Sequence, residues 1–313
     1  MITVAAANPA VDKLLHVDKL DHGSIHRPYG NVAVPGGKGL NVARVAKALG
    51  ADVQVVGIAA GTSGEWLRRQ LDQLGIPVTW VWADGETRTC TSIADSEAEG
   101  RLTEFYEPGP HIPAEVWRRF SEAVAAQADQ AEWLAVSGSL PPGAPDDGFG
   151  SLLSAHPRYT AVDTSGNALR AASRVAVDLV KLNTAEASDL VGLSADTAPS
   201  AASLARTLRA KVGQQATVVV TAGEKGAVML TAEGEMLHAG APARGRYPVG
   251  SGDAFLAGML TARQAGETWQ EALRLATAAA VANSEMPGAG LLDANRVRTL
   301  LPAIPLRDLG EAL

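Results

Sequence analysis

The chain has 313 residues, of which 46% are hydrophobic and 4% aromatic, and its formal net charge is −7. An acidic chain without a long Lys/Arg run argues against nucleic-acid binding over a broad basic face. The single cysteine, Cys90, excludes an intrachain disulfide and a cysteine zinc site. No signal-peptide pattern opens the sequence and no apolar run reaches about 18 residues, so we expect no membrane partner and a cytoplasmic location.

Strands and helices alternate along most of the sequence. Short β-branched runs predict strands at Ile2–Ala6, Val53–Ile58, Trp133–Ser137, Thr160–Asp163, Val177–Leu182, Thr217–Thr221 and Val228–Thr231. Helical patterns lie near Leu40–Leu49, Gly64–Leu74, Ala114–Ala128, Ser200–Lys211, Ala254–Ala265 and Trp269–Asn283. This alternation predicts an α/β fold with a doubly wound, mostly parallel central sheet flanked by helices. The length fits one domain with an appendage or two domains, and we predict a single domain over residues 1–313.

Two polar segments interrupt this alternation, at about residues 10–35 and 85–110. Both contain short alternating stretches, such as Leu14-Leu15-His16-Val17 in the first. We expect them to form a small antiparallel β lid on the α/β core. Such a lid would close over a ligand or pair with a second subunit to give a homodimer.

Polar residues end five of the predicted strands or follow them closely. They are Asn8, Ser137, Asp163, Asn183 and Thr221. Ligands of open α/β sheets bind at the carboxyl ends of the strands, so these side chains predict a binding site. Each one alone is equally compatible with an ordinary turn or helix N-cap.

The sharpest signal is a glycine-rich turn, Gly250-Ser251-Gly252, followed by Asp253 and an apolar helix. Backbone N–H groups at such a helix start bind anions, assisted by the helix dipole. A carboxylate beside them is suited to accept a hydroxyl proton during phosphoryl transfer. The alternative is that Asp253 only provides a favourable charge at the helix N-terminus.

A second glycine-rich turn, with Gly37 and Lys38, opens the helix that carries Asn41. It differs from a Walker A loop because a glycine follows the lysine. Lys38 and Arg88 are candidate phosphate ligands, and Asn41 can bind a hydroxyl. Each of these two cations could equally be solvated. Ser137 and Ser139 could bind phosphate or sugar, or simply form a turn.

Two further motifs have both a structural and a functional interpretation. Asn183 and Glu186 could cap a helix, or organise the water shell of Mg²⁺, which prefers oxygen ligands and retains several waters. The segment from Thr221 to Ala227 could be a plain hairpin, could hold a nucleotide, or could do both.

The order of these motifs resembles that of the ribokinase-like (PfkB) carbohydrate kinases over essentially the whole chain. The matching segments are Asn8-Pro9-Ala10-Val11-Asp12-Lys13, Gly36-Gly37-Lys38-Gly39-Leu40-Asn41, Gly85-Glu86-Thr87-Arg88-Thr89, Glu107-Pro108-Gly109-Pro110, Ser137-Gly138-Ser139-Leu140-Pro141, Asp163-Thr164-Ser165-Gly166, Asn183-x-x-Glu186 and Gly250-Ser251-Gly252-Asp253. Within the family, the chain is most similar to the phosphosugar branch.

The resemblance implies a role for each matching position. Asp253 would be the general base, and the amides of Gly250, Ser251 and Gly252 would form the anion hole. The expected substrate ligands are Asp12, Gly37 and Asn41 for hydroxyls, and Lys38, Arg88, Ser137 and Ser139 for the phosphate. Asn183 and Glu186 would serve Mg²⁺ through water. On the nucleotide side would lie Thr221, Gly223 and Gly226, with Ala279 and Asn283 near the adenine.

The chain departs from the family pattern in three places. One is Lys181-Leu182-Asn183, which stands where Lys-Pro-Asn is common. Ser251 stands where Ala is usual, and Tyr247-Pro248 stands where Asp/Asn-Thr is frequent, which puts nucleotide and metal contacts there in question.

We therefore expect an ATP- and Mg²⁺-dependent kinase that phosphorylates a hydroxyl of a sugar phosphate. Fructose 1-phosphate is the first candidate, with tagatose 6-phosphate and fructose 6-phosphate as alternatives. A non-catalytic sensor would require the loss of the base or the anion hole, and both are present. A nicotinamide dehydrogenase would need a phosphate fingerprint after the first strand. A nucleoside kinase would have no reason to keep Lys38 and Arg88 together.

Overall fold

The computed structural model describes residues 1–97, 102–156, 158–193 and 199–311. Its strands are β1 (Ile2–Ala6), β2 (Ala10–Val17), β3 (Gly30–Gly36), β4 (Val53–Ala60), β5 (Val78–Ala83), β6 (Thr89–Asp95), β7 (Leu102–Tyr106), β8 (Trp133–Ser137), β9 (Tyr159–Asp163), β10 (Leu179–Asn183), β11 (Thr217–Thr221), β12 (Ala227–Leu230), β13 (Glu235–Ala239) and β14 (Leu306–Glu311). Its helices are α1 (Lys38–Ala48), α2 (Gly61–Gln73), α3 (Ala114–Ala128), α4 (Gly148–Ala155), α5 (Gly166–Ala172), α6 (Thr184–Val191), α7 (Ala201–Val212), α8 (Ser251–Gln264), α9 (Trp269–Ser284) and α10 (Ala294–Leu300).

The larger sheet has ten strands in the order β14-β13-β12-β11-β10-β9-β8-β1-β4-β5. From β11 to β5 all neighbours pair in parallel, and β12, β13 and β14 add an antiparallel edge. Central strands such as β1 and β8 are buried at every position, as expected for a sheet covered on both faces. The predicted doubly wound, mostly parallel sheet is confirmed.

Helices cover both faces of this sheet. Side chains of α1, α2, α8, α9 and α10 pack into one hydrophobic cluster, and those of α3 to α7 pack into the other. In strand β1, successive side chains point alternately into the two clusters. Ile2, Val4 and Ala6 face the first cluster, while Ala5 faces the second. The parallel strands therefore have a fixed register, and their carboxyl ends meet at one edge.

The smaller sheet has four strands in the order β3-β2-β6-β7. It is built from the two segments predicted as the lid, although residues 98–101 of the second segment lie outside the described ranges. The hairpins β2–β3 and β6–β7 are antiparallel, and parallel pairing of β2 with β6 joins them. In the described part of the chain, no helix has the length and apolar character needed to cross a bilayer.

Candidate active site

A cavity of about 1340 Å³ is lined by residues of both sheets. The small sheet contributes residues of β2, β6 and β7, and the large sheet contributes the carboxyl ends of β10 and β11. The first turns of α1 and α8 also open into it. Most of the residues predicted for the site line this cavity: Asp12, Gly37, Lys38, Asn41, Arg88, Ser139, Asn183, Glu186, Thr221, Gly223, Gly226, Gly250, Ser251, Gly252 and Asp253.

The glycine-rich turn lies at the N-terminus of α8, as predicted. Gly250 caps the helix with φ 80° and ψ −5°. A Cβ there would lie 2.5 Å from the backbone nitrogen of Gly290, so both the backbone conformation and the close contact require glycine. The Ser251 amide donates to Pro248 O at 3.1 Å and is therefore engaged within the turn. Among the described residues, the Gly250 and Gly252 amides donate no hydrogen bond to another backbone group.

Asp253 occupies the first turn of α8, and its side chain is buried. One carboxylate oxygen accepts a 2.9 Å hydrogen bond from Asn41 Nδ2. Burial, followed by repulsion from Asp163, raises the pKa of Asp253 to about 7, although Lys38, Lys181 and Asn41 oppose the shift. A carboxyl with a pKa near neutrality is suited to take and release a proton.

Asp12, on β2, lies next to this base. Its Oδ2 accepts hydrogen bonds from the Gly37 amide at 3.2 Å and from Asn41 Nδ2 at 3.4 Å. Burial raises the pKa of Asp12, while these hydrogen bonds and the cations Arg44 and Arg88 counteract the shift. Asn41 therefore contacts two carboxylates, the half-buried Asp12 of the small sheet and the buried Asp253 of α8.

Lys38 begins α1 and takes part in an ion-pair network. Its ammonium nitrogen lies 2.9 Å from Asp163 Oδ1 and 3.1 Å from Glu186 Oε1. Burial disfavours its charge, but the carboxylates of Asp163, Glu186 and Asp253 outweigh this and raise the pKa of Lys38. Lys181 Nζ contacts the other oxygen of Asp163 at 2.5 Å. Burial opposes the charge on Asp163 as well, yet Lys181 and Lys38 lower its pKa overall.

The sequence analysis gave no role to Asp163 or Lys181. Asp163 was recognised as a polar residue at a strand end and as the start of a segment that matches the family, but without a role. A signal for Lys181 was nevertheless present, since it lies among Leu and Val residues in the segment from Val177 to Leu182 that was predicted as a strand. A lysine in such a strand is almost never fully buried unless it is paired.

Arg88 reaches the cavity from the segment that precedes β6. Its Nη2 donates to Asn8 O at 3.0 Å, and Asn8 Nδ2 donates to Ser139 Oγ at 3.0 Å. Glu86 and Thr87, which precede Arg88, are hydrogen-bonded to the end of β4 and the start of α2. Glu86 accepts from the amides of Thr62 and Ser63 at the start of α2, and Thr87 Oγ1 accepts from the Ala60 amide at 2.9 Å. These contacts hold Arg88 beside Ser139.

The structure does not bring Ser137, Ala279 and Asn283 to the cavity wall. Ser137 and Ala279 are buried. Asn283 lies behind the glycine-rich turn, where its Nδ2 donates to Val249 O at 2.9 Å and to Ser251 Oγ at 3.1 Å. The residues of α9 that do line the cavity are Thr277, Ala280, Val281 and Ser284.

The Asn183/Glu186 motif and the segment from Thr221 to Ala227 both have the structural roles that the sequence suggested. Asn183 and Glu186 form a capping box at α6, in which each side chain accepts from the other's backbone amide at 2.9 Å. Thr221 ends β11 in an antiparallel hairpin with β12. At Gly226, with φ 84°, a Cβ would lie 1.9 Å from Ala239 O. Since these residues also line the cavity, the structural roles leave the functional ones open.

Carboxylates, cations and free amides thus meet at the carboxyl ends of the strands, which is the arrangement of a phosphoryl-transfer site on an α/β sheet. Residues 5–295 match the pfkB family of carbohydrate kinases. The chain belongs to this family.

Individual relatives agree with this assignment. The chain is 35% identical over 279 residues to a 1-phosphofructokinase from Haloferax volcanii, covering 88% of each protein. It superposes with a TM-score of 0.87 on phosphofructokinase-2 from Escherichia coli in complex with substrates and products, at 27% identity, covering 96% of this chain and 98% of the other. With the same enzyme in complex with fructose-6-phosphate, the TM-score is 0.85 at 26% identity and the same coverage. The protein is therefore a phosphotransferase with an alcohol group as acceptor, and its family implies ATP as the donor.

Proposed function

We propose that this enzyme transfers the γ-phosphoryl group of ATP to a hydroxyl of fructose 1-phosphate, giving fructose 1,6-bisphosphate. One observation carries the proposal. A buried carboxyl with a pKa of about 7, Asp253, lies at the start of the helix whose free amides open into a cavity shared with Arg88. The activity of the Haloferax volcanii relative supports the choice of acceptor.

In the proposed step, Asp253 accepts the proton of the attacking hydroxyl. That hydroxyl oxygen forms a bond to the γ-phosphorus while the bond from phosphorus to the ADP oxygen breaks. The Gly250 and Gly252 amides hold the phosphoryl oxygens, together with the dipole of α8. The Ser251 amide, which is engaged by Pro248, contributes through the shape of the turn.

We assign Arg88 and Ser139 to the phosphate already present on the acceptor. Asp12, Gly37 and Asn41 then bind its hydroxyls. The sequence had placed Ser137 and Lys38 at the same phosphate. Because Lys38 contacts Asp163 and Glu186, we assign its charge to the transferring phosphoryl group instead, and we assign no contact to the buried Ser137.

The residues near Glu186 fit the Mg²⁺ that accompanies ATP. The two oxygens of Glu186 each accept one hydrogen bond, from Lys38 Nζ and from the Asn183 amide, which leaves lone pairs for water. In the described ranges, no group of three or more His, Cys, Asp or Glu residues could hold a metal by itself. This suits an ion coordinated mostly by phosphates and waters, which Glu186 and Asn183 would hold through those waters. When bound, the ion would neutralise phosphate charge.

The nucleotide would lie against the loop that contains Thr221, Gly223 and Gly226. We place its base along the α9 residues that line the cavity rather than at Ala279 and Asn283. Thr277, Ala280, Val281 and Ser284 offer a mainly small and apolar surface for it.

We also propose that residues 1–313 act as one domain in the cytoplasm, with the small sheet as a lid and as a dimer contact. The large side chain of Phe105, on β7 of this sheet, is 58% exposed and does not line the cavity, which favours burial against a second copy. Light scattering should give a dimer mass for the wild-type protein and a monomer mass for Phe105→Asp. A monomeric wild-type protein would rule the contact out.

A second acceptor has its own support, because the similar Escherichia coli enzyme was solved in complex with fructose-6-phosphate. A coupled assay should compare kcat/KM for fructose 1-phosphate, fructose 6-phosphate, tagatose 6-phosphate and unphosphorylated fructose. We expect fructose 1-phosphate to give the highest value and unphosphorylated fructose the lowest. A higher value for either 6-phosphate would correct the acceptor, and the absence of ADP formation with all four would refute the kinase function.

A further inference from the structure

Arg44 lies on α1 one turn after Asn41, but its side chain does not line the cavity. The guanidinium is buried and donates through Nη1 to three oxygens. These are Pro35 O at 2.7 Å, Ala289 O at 3.1 Å and Asn41 Oδ1 at 3.4 Å. Pro35 belongs to the small sheet, and Ala289 lies in the loop against which Gly250 packs. The Arg44 guanidinium therefore joins three segments that form the site, without lining the cavity itself.

A guanidinium in this position is costly. Burial lowers the pKa of Arg44 to about 10, and Asp12 only partly opposes this shift. Methionine or leucine would fill a similar space, but neither could donate to Pro35 O, Ala289 O and Asn41 Oδ1. Packing alone therefore does not account for an arginine here.

The side-chain amide of Asn41 lies between Arg44 and two carboxylates. Its nitrogen faces Asp253 Oδ2 at 2.9 Å and Asp12 Oδ2 at 3.4 Å, while its oxygen faces Arg44. An amide has one donating and one accepting end. The reversed amide would direct its oxygen at two carboxylates and its NH₂ group at a guanidinium, which is unfavourable at both ends.

We propose that Arg44 is a positioning residue for the phosphoryl transfer, acting through Asn41 by fixing the amide with its nitrogen toward Asp253 and Asp12. This inference rests on the proposed function, in which Asp253 is the base. Arg44 keeps the hydrogen bond that favours the ionised form of Asp253. It also anchors the loop that supports Gly250.

The test is the pH dependence of kcat/KM with fructose 1-phosphate, measured for wild-type, Arg44→Met, Arg44→Lys and the exposed control Lys47→Met on the same helix. The groups that face Asp253 are Asn41 and Lys38 from α1, Asp163 from β9 and Lys181 from β10, and none of them is altered in these variants. The Asn41 hydrogen bond lowers the pKa of Asp253. We therefore expect the acidic limb of the profile to move to higher pH by roughly half to one unit in Arg44→Met, the size of one hydrogen bond. The shift should be smaller in Arg44→Lys and absent in Lys47→Met.

A merely structural role would lower activity without moving this limb. The same profile in the Asn41→Ala background separates a direct charge effect from action through Asn41, because Arg44→Met should then produce no further shift. An unshifted limb in Arg44→Met, or an equal shift in the Asn41→Ala background, would overturn the inference while leaving the kinase function intact. If Arg44→Met does not fold, Arg44→Lys carries the same comparison. A wild-type enzyme without any kinase activity would instead refute the proposed function.

Discussion

The ammonium nitrogen of Lys38 lies 2.9 Å from a carboxylate oxygen of Asp163, although 125 residues separate the two in the chain. The same carboxylate also pairs with Lys181, so one fully buried anion serves two cations. It does so at the carboxyl end of β9, where it also faces Asp253. Asp163 therefore sets the charge on both sides of the site, since it raises the pKa of both Lys38 and Asp253.

Replacing Asp163 by Asn should shift the acidic limb of the pH–rate profile to lower pH. The substitution removes a negative charge that disfavours the ionised form of Asp253 and leaves the cations that favour it. The measurement is kcat/KM against pH, with Asp72→Asn on the exposed surface of α2 as the control. An acidic limb that stays in place or moves to higher pH would show that Asp163 does not act on the base.

Asp253→Asn should reduce kcat by roughly 10²–10⁴-fold with little change in KM, because the amide cannot accept the hydroxyl proton. In the wild-type enzyme, kcat/KM should fall as the pH drops below about 7, the pKa of this carboxyl. Steady-state kinetics from pH 5 to pH 9 would measure both effects. Near-normal turnover of the variant would show that another group is the base.

The same substitution should stabilise the fold at high pH. The pKa of Asp253 is raised above its ordinary value of 3.8, so the folded state holds this proton more tightly than the unfolded state. Its contribution to the free energy of unfolding therefore becomes less favourable as the pH rises from about 4 to about 7. We expect the Tm of Asp253→Asn to exceed the wild-type Tm at pH 8, and the difference to shrink toward pH 4. A difference that is independent of pH would contradict the raised pKa.

Arg88→Ala should mainly raise KM for phosphorylated acceptors. The guanidinium is held by Asn8 O beside Ser139 and is suited to bind a phosphate with two hydrogen bonds. Kinetics with fructose 1-phosphate and with unphosphorylated fructose would separate a loss of phosphate binding from a general loss of acceptor binding. The matched control is Arg27→Ala, at an exposed arginine between β2 and β3. Loss of turnover at saturating acceptor with an unchanged KM would contradict the assignment.

Gly250→Ala and Gly266→Ala form a matched pair at the two ends of α8. Both glycines have positive φ values, 80° and 78°, but an added Cβ meets the Gly290 nitrogen at 2.5 Å in the first case and nothing within 4 Å in the second. Backbone strain should therefore lower Tm in both, while only Gly250→Ala should reduce kcat. Equal kcat values in the two variants would show that the close contact at Gly250 does not shape the site.

Strands and helices with strong periodicity were predictable from the sequence. Strands β1, β8 and β11 have the predicted bounds, and α9 ends one residue later than predicted. The helical patterns predicted to end at Leu49 and Leu74 are each followed by a glycine, and the chain turns at these glycines, Gly50 and Gly75, with φ values of 91° and 63°. These elements bury apolar side chains in a regular pattern, so local sequence and tertiary packing agree.

Other elements carry too little local signal. Helices α4 and α5 are short and begin with glycine, and β14 contains charged residues that suit an exposed edge. Strand β5, with its Val-Thr-Trp-Val-Trp run, had the composition of a strand and was missed. The small sheet was predicted from its two segments, but the parallel pairing of β2 with β6 depends on tertiary structure.

For the candidate site, the motifs predicted residues that line one cavity, but they did not predict the partners of those residues. The glycine-rich turn, Asp253 and Arg88 all line the cavity as expected. That Lys38 points toward Asp163, and that Asn283 lies behind the turn, depends on how separate strands and helices pack together. Such long-range contacts leave no periodic pattern in the sequence.

The pairing of β2 with β6 has a consequence for how the molecule assembles. These two neighbours are separated in the chain by β3, α1, β4, α2 and β5, so the small sheet cannot close until the core elements among them have come together. Contacts of such large sequence separation form slowly because the loop entropy must be lost first. During refolding, the Asp12 and Arg88 sides of the cavity should therefore join late, and enzymatic activity should return after most of the helical signal has recovered.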